Sequence, residues 1–410
     1  MTKKIVVIGA GISGISCAEF LRREGLDVTI IDPVSPGDPK QTSYGNAGLL
    51  AVSSIIPVNS PDLWYDLPAY IFKKNSPLSI RWQYFLKLMP WLIPFLMNSS
   101  QNKFLKTVNF LHELTHDSVD QHFLLAQGSK AKNLIKTGDL AFLFKNENEF
   151  KNNLYQMKLR EKYGFSYRIA NRSELIEKDP QLSSNYNYAS IFSNQGWISS
   201  PGKYIREISN HFSLNGGKII KDEVVDIHDS FVMTKKGIKF YFDKTIVCTG
   251  VWSKKILKKI NHYVNLESER GYHLFLKNVN YMPSIPYIVN DQKFAVTPME
   301  DGLRFAGTTE FGGIDAPASE KMIKYLRNGI KKIYPTLKWD KEEFWMGHRP
   351  TLSDSLPVIG KSELMNNVYF GFGGQHVGIT IGPKIGRIIS DLVVGRKTNI
   401  LLSPYNHNRF

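Results

Sequence analysis

The stretch Lys4-Ile5-Val6-Val7-Ile8-Gly9-Ala10-Gly11-Ile12-Ser13-Gly14 decides the fold of this chain. Lys4–Ile8 is a continuous run rich in β-branched residues, the pattern of a parallel strand buried on both faces. The glycines follow at once, and Ile15–Arg23 then has the spacing of a helix packed on a sheet, stopped by Gly25. Val28–Ile31 reads as a second buried strand, with Asp32 at its end. That order of elements is what a dinucleotide needs. Gly9 allows the tight turn, Gly11 lets the backbone approach a pyrophosphate, and Gly14 lets helix and strand pack closely. Ile12 and Ser13 open the helix, where free N–H groups and the positive end of the dipole face the phosphates. Asp32 stands about 20 residues on, where a carboxylate accepts hydrogen bonds from ribose hydroxyls. It would also repel a 2′-phosphate, which argues against NADP. This unit alone does not decide between FAD and NAD.

At 410 residues the chain is long enough for two lobes. The only cysteines are Cys17 and Cys248, so the sequence holds neither a disulfide framework nor a cysteine metal cluster. Both read as small buried hydrophobes in a reducing compartment. The formal net charge of +15 raises a nucleic-acid or membrane reading. However, the lysines are spread along the whole chain, and no nucleic-acid-binding motif accompanies them. A solvated lysine-rich surface explains most of that charge, and weak attraction to an acidic membrane is the alternative. A core strand beginning at Lys3 leaves no room for a signal peptide, so a cytoplasmic location is expected. The most apolar stretch, Phe85–Met97, contains Lys87, Pro90 and Pro94 and is shorter than the roughly 20 residues of a membrane span.

Further motifs narrow the cofactor. Thr42-Ser43-Tyr44-Gly45-Asn46-Ala47-Gly48 is a loop of small residues. Near the C-terminus stand Gly347-His348-Arg349-Pro350, then Asp354, Pro357 and Gly360, and then Gly371-Phe372-Gly373-Gly374-Gln375-His376-Val377-Gly378-Ile379-Thr380. Together with the N-terminal fingerprint, this set resembles the D-amino-acid oxidase superfamily, and within it the flavoprotein D-amino-acid dehydrogenases and their hydroxyproline-oxidising relatives. The likeness runs end to end but is loose from about Pro57 to Asn194.

The resemblance implies FAD. It implies cofactor contacts from Ser43, Asn46, Ala47 and Gly48, from Val225 beside Val224, and from Thr249, Gly250 and Trp252. The last loop contributes Gly373, Gly374, Gly378 and Thr380, and Gly382–Val394 reads as the closing helix. Neither cysteine lies where some relatives attach the flavin, so non-covalent FAD is expected. The fold class is then α/β: a Rossmann-type FAD lobe of residues 1–55, 195–260 and 343–410. A discontinuous α+β substrate lobe of residues 56–194 and 261–342 carries a mostly antiparallel sheet over the flavin.

The chemistry implied is oxidative deamination of an amino acid, a D-amino acid or a D-proline-type imino acid, by hydride transfer from Cα to flavin N5. Arginine is the side chain best shaped for a substrate carboxylate. The resemblance puts Arg349 there, with a structural ion pair to Asp354 as the alternative. Arg270-Gly271-Tyr272-His273 resembles a motif of the dehydrogenase members. Strand alternation sends Tyr272 and His273 to opposite faces, and Tyr272 is the expected substrate contact. His273 and His348 read as structural histidines, and so does Glu310 as a structural acid. His376 could reach the ring or the substrate, and no metal is implied. Electrons are expected to pass to a quinone-type acceptor, with Trp82–Phe95 resting on the cytoplasmic face of the inner membrane or serving as interface or core. Two alternatives stay open: a glycine- or sarcosine-type oxidase using oxygen, and a non-catalytic FAD subunit of a larger complex. The oligomeric state is open as well.

Overall fold

A computed structural model of the chain describes residues 2–63 and 76–410. Its first sheet has the strand order Val358–Lys361, Val368–Phe372, Lys244–Val247, Lys4–Ile8, Asp27–Asp32, Lys218–Lys221. Lys4–Ile8 lies inside, parallel to both neighbours, and all but its first residue are buried. That placement is why the strand carries hydrophobic residues without alternation. The helix Ile12–Arg23 covers one face, and Gly25 at φ +76 turns the chain back into Asp27–Asp32. The expected closing helix runs over Gly378–Val394. Two of its glycines bring it tightly against the first helix. A Cβ on Gly382 would meet Ile12 at 2.6 Å, and one on Gly386 would meet Ser16 at 2.5 Å.

The second sheet has the order Lys341–Leu352, Leu266–Lys277, Gly302–Phe311, Phe294–Met299, Tyr287–Val289, Ile135–Phe144, Tyr188–Ile198, Leu49–Leu50. It is mostly antiparallel, as expected. Parallel pairing occurs where Tyr287–Val289 meets Ile135–Phe144 and where Leu78–Ile80 joins Gly302–Phe311. The helix Glu320–Ile333 packs Met322, Ile323, Leu326 and Ile330 against one face, on which Tyr272, Leu274 and Leu276 lie. The helix Gln101–Thr115 buries Phe104, Val108, Leu111 and Leu114, which recur at helical spacing along one face.

The expected lobe boundaries at 195 and 343 both cut through strands of this second sheet. Continuous ladder pairing keeps Tyr188–Ile198 and Lys341–Leu352 with the sheet, so the chain changes sheets after Ile198 and after Leu352. Among the described residues, no helix is long and apolar enough to cross a membrane. Phe85–Met97 is a helix despite its two prolines. It buries Leu88, Trp91, Leu92 and Phe95, while Trp82 just ahead of it, Leu86 and Met97 are 68%, 81% and 62% exposed.

Candidate active site

A cavity of about 570 Å³ opens at the carboxyl end of Lys4–Ile8 and its parallel neighbours, where open α/β sheets bind their ligands. Gly9, Gly11, Ile12 and Ser13 line it, together with Asp32, Ser43, Asn46, Val225, Thr249, Gly250, Trp252, Gly373, Gly374 and Gly378. The glycine turn is as crowded as the fingerprint requires. Gly9 has φ +101, and a Cβ on Gly14 would fall 1.9 Å from the Gly9 carbonyl oxygen. Ile12 N–H donates to Ser43 Oγ at 3.0 Å, tying the Thr42–Gly48 loop to the helix start. The N–H groups of Gly11 and Ser13, both of which line the cavity, find no acceptor among the described residues outside the helix, which leaves them for an anion.

Asp32 is oriented from two sides. Its Oδ2 accepts from Ala10 N–H at 2.7 Å and its Oδ1 from Val34 N–H at 2.9 Å. Burial raises its pKa, and the backbone donors oppose that shift. A long cleft with free N–H donors at one end and an oriented carboxylate beside it fits a dinucleotide with an unphosphorylated ribose.

A second cluster adjoins this cavity, one residue away from its lining at both Pro350 and Gln375. Glu269, Gly271 and His273 alternate onto the face of Leu266–Lys277 opposite to Tyr272. Glu269 pairs in register with Arg349 of the edge strand. The two side chains form an ion pair, Arg349 Nη1 to Glu269 Oε1 at 2.9 Å. Arg349 also donates to the Thr308 carbonyl oxygen at 2.9 Å. His376 Nε2 meets the same Glu269 Oε1 at 2.7 Å. Thr309 and Thr351 donate their hydroxyls to Glu269 at 2.8 and 3.0 Å. This fully buried carboxylate would be raised by desolvation. The adjacent His376 and Arg349 outweigh that and hold it well below the usual range. Glu269 is therefore an anion, while Arg349 and His376 keep 18% and 37% of their side-chain surface exposed.

Two residues here adopt left-handed backbone without being glycine, Thr308 at φ +59 and Gln375 at φ +47. Such conformations cost on the order of 1–3 kcal/mol and gather at functional sites. Thr308 offers its carbonyl to Arg349, and Gln375 lines the dinucleotide cavity immediately before His376.

Tyr272 is corrected by its placement. Alternation separates it from His273 as expected, but Tyr272 points to the helix-covered face, away from Arg349. It is 2% exposed, donates to Glu310 Oε2 at 2.5 Å and accepts from Ser319 N–H. Glu310 also pairs with Arg270 and Arg81, so Tyr272 belongs to a structural ion-pair network. His273 faces the other way, with Nδ1 at 2.8 Å from the Gly45 carbonyl and its ring stacked on Trp345. It braces the small-residue loop from behind.

The alternative partner of Arg349 is corrected too: Asp354 pairs with Arg409. Four expected cofactor contacts do not line the cavity. Gly14 packs against Gly9, and Thr380 Oγ1 donates to the Leu49 carbonyl. Ala47 and Gly48 lie in a turn closed by Gly48 N–H donating to Asn46 Oδ1. Glu269 is the functional residue that sequence reasoning missed. The single cue was an acid directly before the Arg270–His273 motif.

Fold and site together define a dinucleotide-binding oxidoreductase with an arginine, ion-paired to a buried glutamate, beside the cofactor cleft. Residues 4–392 match the model of the DAO family, described as FAD dependent oxidoreductase, and the chain belongs to that family. Over its full length it is 32% identical to a D-amino-acid oxidase of Bradyrhizobium diazoefficiens, covering 99% of that protein. It is 25% identical to a D-amino acid dehydrogenase of Vibrio atlanticus, over 99% of this chain and 100% of that one. The structure of a glycine oxidase from Bacillus cereus superposes with a TM-score of 0.75 at 20% identity, covering 98% of this chain and 97% of that one.

Proposed function

We propose that this protein oxidises the Cα–N bond of an amino acid, a D-amino acid or a D-proline-type imino acid, and passes the electrons to a quinone-type acceptor. The observation that carries the reading is Arg349. Its guanidinium lies over Gly271, so close that a Cβ there would fall 2.5 Å from Cζ, and it remains partly exposed beside the cofactor cleft. A planar fork in that position suits a substrate carboxylate. The names of the relatives that match along the whole chain agree with it.

FAD, held without a covalent bond by the Gly9–Gly14 turn, Asp32 and the Gly373–Gly378 loop, would supply the hydride acceptor. The protein's own residues bind the carboxylate through Arg349, fix the pocket's charge through Glu269, and orient Cα toward the cleft. Water then hydrolyses the imino product of a primary amino acid to a 2-oxo acid and ammonia, whereas a proline-type substrate gives a cyclic imine that keeps its nitrogen. A peripheral contact with an acidic bilayer, where quinone is available, forms part of the proposal. The exposed side chains Trp82, Leu86, Ile93 and Met97 and the net charge of +15 support it.

The decisive experiment is anaerobic flavin bleaching by D-amino acids, D-proline analogues, sarcosine and glycine, followed by reoxidation with a quinone analogue or with air. Bleaching by D-amino acids and faster return with quinone is the expected result. Stoichiometric hydrogen peroxide under air would favour the oxygen-using reading, which similarity to the Bradyrhizobium oxidase supports. Flavin remaining with acid-precipitated protein would refute the non-covalent link.

A further inference from the structure

An amino acid arrives as an ammonium ion, yet its nitrogen must be neutral before the Cα–H bond can leave with its electron pair. We infer that His376 accepts that proton and that Glu269 is the positioning residue that aims the imidazole. This inference rests on the amino-acid reading above.

The other ionisable groups near the pocket are poor acceptors for that proton. Glu269 carries a negative charge, but its oxygens already accept from Arg349, His376, Thr309 and Thr351. A carboxylate so satisfied, with the Arg349 guanidinium at 2.9 Å, is a poor proton acceptor. Arg349 is a permanent cation. Glu267, two residues along the same strand face, accepts from Tyr84 Oη at 2.9 Å and from Ser268 N–H at 2.8 Å, both at Oε1, and neither it nor its chain neighbours line the cofactor cavity. Burial and that carboxylate push the Tyr84 hydroxyl far up. Tyr272 faces away.

His376 follows directly on Gln375, which lines the cofactor cavity. Its Nε2 is committed to Glu269 at 2.7 Å, and its Nδ1 has no partner among the described residues. With the Nε2 proton directed at Glu269, the lone pair is on Nδ1. A carboxylate behind an imidazole fixes tautomer and direction in this way and stabilises the imidazolium that forms. The charged groups at His376 are Glu269 and, paired with it, Arg349 of the edge strand; Glu267 lies two residues along Glu269's strand face with Tyr84 bonded to it.

The transfer balances. One N–H bond of the substrate ammonium breaks, one N–H bond forms at Nδ1, and the electron pair stays on the substrate nitrogen. The positive charge moves from substrate to imidazole, 2.7 Å from a carboxylate that is already ionised.

The test is the rate of anaerobic flavin reduction in the holoenzyme as a function of pH, using an amino acid that bleaches the wild type. Wild-type rates should rise from acid to a plateau. His376→Gln should be about 10²-fold slower at neutral pH, with its acid limb moved up toward the ionisation of the free substrate. Glu269→Gln should move the limb the other way, to lower pH, because an imidazolium without its carboxylate loses its proton more readily. Binding of the corresponding carboxylic acid without an amine, followed by the flavin spectrum, should be unchanged in His376→Gln.

A wild-type acid limb in His376→Gln overturns the inference, and so does an unmoved limb in Glu269→Gln. If His376→Gln loses its flavin, the direction of the Glu269→Gln shift decides. If no amino acid bleaches the wild type, the amino-acid reading fails first and this inference falls with it.

Discussion

Gly271→Ala offers a perturbation of one methyl group whose effect follows from the geometry. The new Cβ would stand 2.5 Å from Arg349 Cζ and 2.6 Å from Nη2. Non-bonded carbon atoms rest at about 3.5–4.0 Å, so the guanidinium must retreat by about 1 Å. The backbone at Gly271 is extended strand, which alanine adopts readily, and the far end of an arginine can move. Stability should therefore change little. The fork, however, is held at 2.9 Å from both Glu269 Oε1 and the Thr308 carbonyl. A shift of this size re-aims it away from the position that would receive a carboxylate.

Misplacing a binding group by 1 Å costs on the order of 10²-fold in rate, equivalent to about 2.7 kcal/mol at the transition state. The assay is kcat/KM and the anaerobic reduction rate on a preparation whose flavin content and melting temperature are measured alongside. Wild-type kcat/KM at full flavin occupancy would refute the claim that Arg349 over Gly271 forms the substrate site.

Three further outcomes are expected. Arg349→Ala should lose roughly 30- to several-thousand-fold in kcat/KM, the cost of a substrate carboxylate left unpaired. Arg349→Lys should regain only part of it, because an ammonium keeps the charge without the fork; equal activity in the two variants would contradict the clamp. Gly14→Ala should yield protein that cannot retain FAD, since the new Cβ would sit 1.9 Å from a backbone oxygen that cannot move aside; a yellow variant with wild-type flavin content would be evidence against the close packing of this turn.

The third concerns acid stability. His122 is fully buried between Tyr204 Oη and the Ile379 carbonyl, and burial lowers its pKa from 6.5 to about 4. The unfolded chain therefore binds the proton first, so stability is full above the ordinary value and falls as pH drops from 6.5 toward about 4. Melting temperature should decline across that window, with buried His262 and partly buried His348 shifted in the same direction. A melting temperature that rises on acidification there would contradict the assignment.

Much of this was legible locally. A buried strand, its glycine turn and the helix that follows are specified by neighbours in sequence. Residues 4–32 therefore announce the dinucleotide unit without any long-range contact. Alternation along Leu266–Lys277 likewise separates Tyr272 from His273. What alternation cannot say is which face meets the cofactor side. That was decided by the helix Glu320–Ile333 covering the Tyr272 face.

The remaining features are matters of tertiary placement. Glu269 and Arg349 are 80 residues apart, and only the antiparallel register of two strands puts them opposite one another. His376 reaches the same carboxylate from a loop of the other sheet's connection, more than a hundred residues from Glu269. The sheet to which the strands at positions 195 and 343 belong has a related cause, since hydrogen-bond ladders, not composition, determine which sheet owns a strand. By itself the sequence determined the dinucleotide turn, the helix spacing and the residue types available for the chemistry, because those depend on the local geometry of the backbone. The tertiary structure alone decided which charges meet, because a buried ion pair is formed by strand register and sheet curvature that no local stretch of residues encodes.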